Sequence, residues 1–260
     1  MKLIEPRVFL VGETRIDLVG LQDFLVHINA PDWVSDAPTD GEKLIELYGR
    51  LCYESFRLGL NPNITKIRKH SRDYLRNIKE KGDGSILEHV TVNFVFCDVS
   101  RVFTHELVRH RAGTAISQES LRYVRLTDLG LWLPTVIKED VEAVQIFVHT
   151  FEALERLQKE LASRFELDSE KNFDKKKKVT SAIRRLAPDG LATNIGWTAN
   201  IRTIRHVLEM RTNPNAEEEI RFVFGEVGEM MRSRYPHLFD DYVIEMVDGL
   251  PWYTTPNRKV

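Results

Sequence analysis

Apolar residues recur at helical spacing through most of the second half of the chain. From Val141 to Phe165 they form one stripe with charged residues on the opposite side, which predicts a long amphipathic helix. The same period predicts shorter helices over Lys171–Ala187, Thr198–Met210 and Ala216–Tyr235. A chain with this many helical segments cannot be an all-β protein. Helices that follow one another without intervening strands also argue against a doubly wound sheet.

The clearest predicted strand lies in the first half of the chain. Residues Val90–Asp98 alternate between apolar and polar side chains, as a strand with one buried face does. Arg7–Val11 predicts a first strand, and Ser100 is suited to cap a following helix. Helices are predicted over Glu42–Phe56 and Asn63–Lys81, with the strands clustered in the first half. The pattern predicts an α+β fold with a small, mostly antiparallel sheet packed with several long helices.

The composition narrows the class of protein. The chain of 260 residues carries 37 Lys and Arg against 39 Asp and Glu, a formal charge of −2. This balance argues against a nucleic-acid coat protein, so any anion site must be a local cluster of positive charge. Cys52 and Cys97 are too few for a disulfide framework or a zinc cage, and we predict no metal site. The length suits one large core, and we predict a single domain over residues 1–260.

The beginning of the sequence bears on where the protein resides. Met1–Gly12 contains Glu5 and Arg7 in a short apolar run and lacks a small-residue cleavage pattern, so it predicts a strand and not a signal peptide. The sequence also lacks a run of about 20 apolar residues that could cross a bilayer. We therefore expect a cytoplasmic protein without a membrane partner, in the reducing compartment that free cysteines suit.

The segment from Arg109 to Tyr123 carries the strongest chemical signal. Its three arginines, one histidine and three hydroxyl side chains follow directly after a predicted helix, with Gly113 among them. Guanidinium groups bind phosphate in a bidentate manner, and hydroxyls and backbone N–H groups can complete the shell of donors. The alternative is a solvated basic turn whose arginines pair with Glu106 or Glu119. Composition alone leaves both interpretations open.

The order of residues in this segment resembles the signature of the flavin-dependent thymidylate synthases, R-H-R-x-x-S-x-N-x-x-S-x-R-Y. The family pattern has fourteen positions, whereas this segment has fifteen residues, so one extra residue lies between its two halves, near Gly113. Thr114 replaces the first family serine, and Ser117 falls where asparagine often stands. The residues that match outright are Arg109, His110, Arg111, Ser120, Arg122 and Tyr123.

Further segments resemble blocks of the same family, and they follow one another in the same order. The family blocks are E-H-x-x-F-x-F, R-x-x-x-P, W-T-x-N-x-R, a helix-ending arginine and H-A-x-x-E-I. Asn215 stands where the last block has histidine. The resemblance extends from roughly Leu44 to Tyr235. The corresponding segments are Glu88–Phe94, Arg184–Pro188, Trp197–Arg202, Leu208–Arg211 and Asn215–Ile220.

This resemblance implies a flavin-dependent thymidylate synthase-like fold and an enzyme of the methyltransferase kind. The implied reaction converts dUMP to dTMP, with methylenetetrahydrofolate as carbon donor, NADPH as reductant and FAD as cofactor. Carbon 5 of a uracil nucleotide is a poor nucleophile, and the unrelated thymidylate synthases activate it through a cysteine. Cys52 and Cys97 are instead predicted to be small packing residues, outside any exposed, positively charged setting that would lower a thiol pKa.

The resemblance also implies roles for individual residues. Arg211 is implied to be catalytic, because positive charge beside the uracil stabilises an anion developing on the ring. The family architecture implies a homotetramer with active sites at the subunit interfaces. The residues implied to bind dUMP are Glu106, Gln118, Glu119, Ser120, Arg122, Arg184 and Arg211. Those implied to bind FAD are His89, Arg109, His110, Arg111, Asn200, Arg202 and His206.

Departures from the family pattern keep other functions open. The extra motif residue, Glu106 in place of glutamine and Asn215 in place of histidine could belong to a related enzyme that hydroxymethylates dUMP or modifies another pyrimidine nucleotide. A hypothesis from a different class is a noncatalytic nucleotide- or RNA-binding protein, against which the near-neutral charge argues.

Two groups of basic residues also have a simple surface interpretation. Lys175–Lys178 wraps around a predicted helix and is interpreted as solvated surface. Arg202 and Arg205 could form the polar back of the helix predicted over Thr198–Met210.

Overall fold

Helices make up most of the regular structure. The computed structural model describes residues 1–124 and 126–260. The helices in this part of the chain are α1 (Leu18–His27), α2 (Asp40–Tyr53), α3 (Ser71–Lys81), α4 (Arg101–Leu107), α5 (Thr135–Lys138), α6 (Val141–Arg164), α7 (Phe173–Ile183), α8 (Ile201–Arg211), α9 (Glu218–Arg234) and α10 (Pro236–Phe239). Gly84–His89 and Arg184–Leu186 are short 3₁₀ turns.

The strands form one four-stranded sheet and two small pairs. They are β1 (Lys2–Leu3), β2 (Arg7–Glu13), β3 (Thr91–Ser100), β4 (Thr114–Gln118), β5 (Gly130–Leu131), β6 (Ala192–Asn200), β7 (Val243–Val247) and β8 (Leu250–Thr254). The four-stranded sheet has the order β2-β3-β6-β4. Strands β1 and β5 pair in parallel, whereas β7 and β8 form an antiparallel hairpin in which Val243 faces Thr254. The predicted α+β fold with a small antiparallel sheet is confirmed.

The chain groups into two compact units. The first unit comprises Met1–Phe9, Val95–His110 and Ile116–Trp197, and the second comprises Leu10–Phe94, Arg111–Ala115 and Thr198–Val260. The single domain over residues 1–260 stays a prediction.

The first unit has its own hydrophobic cluster. Phe151 is the residue of α6 that enters this cluster, and Val144 and Leu154 pack against it from the same helix face. The predicted amphipathic stripe of α6 is therefore only partly buried, and Phe147 remains 37% exposed. The buried members are Leu121, Leu129, Leu131, Leu133, Phe151 and Leu191.

The second unit is organised around α8 and α9. Ile204, Val207 and Leu208 of α8 are fully buried, as the apolar face predicted for this helix requires. Arg205 is also buried, with 1% of its surface exposed, and its guanidinium pairs with Asp241 at 2.8 Å. The interpretation of Arg205 as polar back of the helix is therefore wrong, because the side chain completes an internal ion pair.

The predicted starts of α4 and α6 are observed, and each of these helices has a side-chain cap. Ser100 Oγ accepts a hydrogen bond from Phe103 N at 3.0 Å, which satisfies one of the free donors at the start of α4. Asp140 caps α6 in the same way, accepting from Glu142 N and Ala143 N. The cap by Ser100 was predicted from the sequence, whereas the cap by Asp140 was not.

Two predicted helices begin later than their patterns indicate. Asn61 Oδ1 accepts a hydrogen bond from Asn63 N at 2.9 Å, and a local turn of this kind competes with helix formation. Helix α3 therefore begins only at Ser71. Residues 198–200 are extended and end β6, and Asn200 caps α8 through Thr203 N at 2.8 Å.

The distribution of strands also differs from the prediction. Strands β6, β7 and β8 lie in the second half of the chain, so the strands are not clustered in the first half. Helix α1 lies in a stretch for which the sequence pattern predicted nothing, and Asp17 caps it. In the part of the chain that the structure describes, no helix combines the length and the apolar character needed to span a membrane.

Candidate active site

A tight turn after β4 presents two of the predicted nucleotide-binding residues in the first unit. Ser120 O accepts hydrogen bonds from Tyr123 N at 2.9 Å and Val124 N at 3.0 Å, and Ser120 Oγ accepts from Arg122 N at 3.3 Å. Leu121 is buried in the hydrophobic cluster, whereas the side chain of Arg122 is exposed. The buried leucine anchors the turn and leaves the residues on either side of it available to a ligand.

Glu119, directly before this turn, is bound to the neighbouring strand β6. Its Oε1 accepts from Asn194 Nδ2 at 2.9 Å, and its Oε2 accepts from Asn194 N at 3.0 Å. Glu119 N in turn donates to Asn194 O at 3.0 Å. Both carboxylate oxygens of this exposed side chain therefore accept hydrogen bonds from Asn194. Gln118 Nε2 donates to Thr104 Oγ1 at 3.3 Å, so this predicted dUMP residue is also positioned by an internal contact.

The end of α4 carries the first half of the arginine motif. Arg109 N donates to Glu106 O and His110 N donates to Leu107 O, so the backbone continues the helical turn past Leu107. The side chain of Arg109 is exposed, and those of Glu106 and His110 are half-buried. The helix thus ends with a guanidinium directed to solvent, at the helix end where positive charge is favourable.

Arg184 and Arg122 line different hollows in the first unit. Arg184 lies in the 3₁₀ turn after α7 and lines a small, mostly apolar cavity with Leu121 and Ile183. Arg122 lines an open depression of about 500 Å³ with lysines of α7 and with Arg185. Arg185 was not among the residues predicted to bind a ligand, and Lys175–Lys178 was predicted to be solvated surface. The only sequence signal for the lysines was the run itself.

In the second unit, the middle of the motif, around Gly113, packs on the start of α8. Asn200 N donates to Gly113 O at 3.0 Å, and Thr203 Oγ1 donates to Ala112 O at 2.8 Å. Gly113 has a φ of +68°, and a Cβ there would lie 2.3 Å from Asn200 Nδ2. Glycine is required at this position both by backbone conformation and by close approach. The side chain of Arg111, just before it, is exposed.

Arg202 and His89 contact three residues of the second unit. Arg202 Nη1 donates to Glu88 Oε1 at 2.6 Å, and Arg202 Nη2 donates to Lys259 O at 3.3 Å. His89 stacks on Tyr48 of α2, with ring centroids 3.8 Å apart and an angle of 13° between the planes. Tyr48 was not singled out by the sequence analysis, because only the fold brings α2 beside His89.

The remaining residues predicted to act in the second unit lie along α8. His206 is exposed and stands four residues after Arg202, which puts the two side chains on one helix face. Arg211 is the last residue of α8 and is half-buried. Asn200 is committed to capping the helix through its Oδ1. The helix therefore supplies donors at its start, middle and end.

The two cysteines differ in their surroundings. Cys52 is exposed, so its interpretation as a packing residue is wrong. Cys97 is half-buried on β3, and burial raises the pKa of its thiol, with the neighbouring carboxylates Asp98 and Glu119 acting in the same direction. A raised thiol pKa reduces the thiolate fraction, so Cys97 is poorly suited to act as a nucleophile.

The matches with known proteins agree with the order of the sequence blocks. The model of the thymidylate synthase complementing protein family matches residues 34–237. The flavin-dependent thymidylate synthase of Mycobacterium bovis is 32% identical over 246 residues, which cover 93% of this chain and 95% of that protein. That of Mycolicibacterium vanbaalenii is 32% identical over 250 residues, 95% and 97% of the two chains. This chain belongs to the flavin-dependent thymidylate synthase family.

Solved structures share the fold. ThyX of Helicobacter pylori, complexed with FAD and dUMP, superposes with a TM-score of 0.58 at 19% identity, covering 92% of this chain and 99% of that one. PolB of Streptomyces cacaoi, a UMP/dUMP methylase bound with 5-Br dUMP, gives a TM-score of 0.62 at 16% identity and covers 92% and 96%. Membership of the flavin-dependent thymidylate synthase family makes the protein an enzyme of the methyltransferase kind with a flavin cofactor, as the resemblance implies.

Proposed function

We propose that the protein catalyses the FAD-dependent reductive methylation of dUMP to dTMP, with methylenetetrahydrofolate as carbon donor and NADPH as reductant. The observation that carries the proposal is the ordered match over residues 34–237, which includes every block that the family signature contributes. The relatives of known structure that are complexed with FAD and dUMP support the choice of cofactor and nucleotide. The donor and the reductant are proposed from the resemblance.

The dUMP-binding site is proposed to consist of hydroxyl and guanidinium donors. The exposed Arg122 and the neighbouring Ser120 suit the phosphate, because a charged donor and a hydroxyl from one tight turn can bind the same dianion. Arg184 is proposed as a further cation for the nucleotide. Glu106 and Gln118 belong to the same predicted set. Glu119 contributes by holding the turn, since its carboxylate is bound to Asn194.

Arg211 is proposed to be the catalytic residue. A guanidinium against the uracil ring stabilises the negative charge that the ring must carry before carbon 5 can act as a nucleophile towards the one-carbon unit. Its position at the end of α8, half-buried, restricts the side chain and lowers the effective dielectric around it. The raised thiol pKa of Cys97 argues against the alternative in which a cysteine adds to the ring.

The residues present fit an anionic cofactor with a planar ring. The guanidinium groups of Arg109 and Arg111 are exposed and suit a diphosphate. The Tyr48–His89 stack presents a flat aromatic surface on which a planar ring system can pack. His110, Asn200, Arg202 and His206 complete the proposed FAD set. When bound, the reduced flavin supplies the hydride that completes the methyl group.

The oligomeric state and the cellular location are also proposed. We propose a homotetramer with active sites at the subunit interfaces, which would bring residues of different chains to one site. The mass measured by light scattering during gel filtration tests it. We also propose a cytoplasmic enzyme that acts on dUMP, folate and NADPH without a nucleic-acid or membrane partner.

The first experiment is spectroscopic and chemical. The purified protein should be yellow, lose its visible flavin absorption when NADPH is added without oxygen, and form dTMP from dUMP and methylenetetrahydrofolate. Arg211→Met should abolish dTMP formation while the flavin spectrum remains, whereas Arg232→Met on the exposed side of α9 should retain activity. A colourless protein that FAD cannot reconstitute would overturn the proposal.

A second candidate is a related flavin- and folate-dependent enzyme with another pyrimidine product. The fifteen-residue motif, Glu106 and Asn215 are the departures that favour it. Mass spectrometry of the products from dUMP, UMP and dCMP separates the two. A methylated product from dUMP alone supports the first candidate, whereas a hydroxymethylated product or turnover of the other nucleotides supports the second.

A further inference from the structure

We propose that the basic depression beside α7 binds an extended chain of carboxylates, namely the oligo-γ-glutamyl tail of the folate donor. The basic depression is the hollow of about 500 Å³ lined by Arg122, Asp174, Lys177, Lys178, Ser181, Ala182 and Arg185. The inference rests on the proposed function, because it takes the folate from that reaction, and it adds a site for a part of the folate that does not react.

The charge of the depression is strongly unbalanced. Arg122, Lys177, Lys178 and Arg185 line it, and Asp174 is the one carboxylate among its lining residues. Among the residues that the structure describes, none forms an ion pair with any of these four cations. Like charges gathered without partners repel one another, and an anionic ligand would relieve that repulsion.

The lysine run divides between two surroundings. Lys175 is paired with Glu170 at 2.5 Å and lies outside the depression. Lys177 and Lys178 line the depression, and the ammonium group of Lys177 lies 5.4 Å from the centre of the Tyr123 ring. Two lysines of the run therefore lie in the same depression. On a helix whose charges are all solvated, the lysines would not share a hollow.

The rim of the depression adds an aromatic surface. Tyr123 stacks on Phe173 with centroids 6.0 Å apart and 15° between the planes, and these side chains are 54% and 64% exposed. The guanidinium of Arg122 lies 5.9 Å from the Tyr123 ring. Exposed aromatic rings beside unpaired cations match the chemistry of an aminobenzoyl group followed by carboxylates.

A single phosphate does not account for the whole site. A phosphate monoester carries a charge of about −1.5 to −2 at neutral pH, and Arg122 with Ser120 already suits it. Lys177, Lys178 and Arg185 exceed that need. A hollow of about 500 Å³ is within the size that holds a ligand of several linked groups.

The experiment compares two forms of the carbon donor. For the wild-type enzyme, the KM for pentaglutamyl methylenetetrahydrofolate should be about tenfold lower than for the monoglutamyl form, as several weak ion pairs together predict. The double variant Lys178→Gln/Arg185→Gln should bring the ratio of the two KM values close to one. Lys176→Gln, on the same helix but outside the depression, is the matched control and should keep the wild-type ratio.

Three results would overturn the inference. The first is equal KM values for both folates in the wild-type enzyme, and the second is an unchanged ratio in the double variant. The third is a rise in the KM for dUMP that is the same with either folate, which would assign the cations to the nucleotide phosphate.

A direct binding measurement separates this inference from the proposed reaction. A fluorescent tetra-γ-glutamate peptide should bind the full chain with an affinity that falls steeply as salt is added and is lost in the double variant. Should the enzyme form no dTMP, the peptide still tests the depression. Absence of peptide binding to an active enzyme would count against the tail site alone.

Discussion

The carboxylate of Glu119 is held by Asn194 on both of its oxygens, at 2.9 Å from the side-chain amide and 3.0 Å from the backbone N–H. Asn194 Oδ1 accepts in turn from Asp98 N at 3.1 Å. Asn194 therefore connects its own strand β6 with β3 and with the end of β4. The turn that carries Ser120 and Arg122 begins at this connection, to which Asn194 contributes both its side-chain amide and its backbone.

We expect Asn194→Ala to impair use of the nucleotide more than retention of the flavin. Losing a hydrogen bond to a charged group costs about 1.5–3 kcal/mol, so the kcat/KM for dUMP should fall roughly 10- to 100-fold. Steady-state kinetics and the flavin content of the purified variant check this. Asn63→Ala, an exposed loop asparagine, is the control and should match the wild type. An Asn194 variant with unchanged kcat/KM would show that the connection does not position the turn.

Gly113→Ala should destabilise the protein strongly. The new Cβ would lie 2.3 Å from Asn200 Nδ2 and 2.5 Å from Thr203 Oγ1, at a φ of +68°. Left-handed backbone costs a non-glycine residue about 1–2 kcal/mol and overpacking adds about 1–3 kcal/mol, so urea unfolding should show a loss of about 3 kcal/mol. Gly249→Ala has a φ of +74° and nothing within 4 Å, so it isolates the backbone cost. Equal losses in both variants would disprove the steric argument.

Arg205→Met should cost about 3–5 kcal/mol in the free energy of unfolding, because it leaves the carboxylate of Asp241 without its main partner in a buried setting. The arginine also holds the pKa of Asp241 well below its usual range, against the burial that raises it. Arg258→Met removes an exposed partner of Glu209 and should cost less than about 1 kcal/mol. Similar losses in the two variants would contradict the assignment of Arg205 to the core.

The buried carboxyl of Glu42 should lower the free energy of unfolding as the pH rises. Burial raises the pKa of this carboxyl from 4.5 to about 7, opposed by hydrogen bonds from His237 N and Thr39 and supported by the charge of Asp240. Between these two values the folded protein keeps a proton that the unfolded chain releases. The resulting penalty is absent below pH 4.5 and reaches about 3 kcal/mol above pH 7.

Unfolding in urea at several pH values checks this prediction. The difference in the free energy of unfolding between Glu42→Gln and the wild type should be constant below pH 4.5. It should then change by about 3 kcal/mol in favour of the variant as the pH rises from 4.5 to 7. Glu80→Gln, on the exposed side of α3, should show a difference that does not vary with pH. A pH-independent difference for Glu42→Gln would mean that the carboxyl is ionised in the folded state.

The patterns with local causes were predictable from the sequence. Helical periodicity predicted α6 and α9, a capping serine predicted the start of α4, and the alternation of apolar side chains predicted β3. These features depend on contacts within three or four residues or on one buried face. The order of the family blocks likewise predicted the enzyme family, because it depends only on residue order.

The features decided by tertiary structure depend on contacts between distant parts of the chain. Asn194 meets Glu119 only because β6 lies beside β4, and Arg205 is internal only because Asp241 returns to α8. The lysine run is uniform in sequence, yet the packing of α7 against the turn at Arg122 decides which lysines face the depression. Sequence periodicity reports which face of an element is apolar, and long-range packing determines which polar side chains meet.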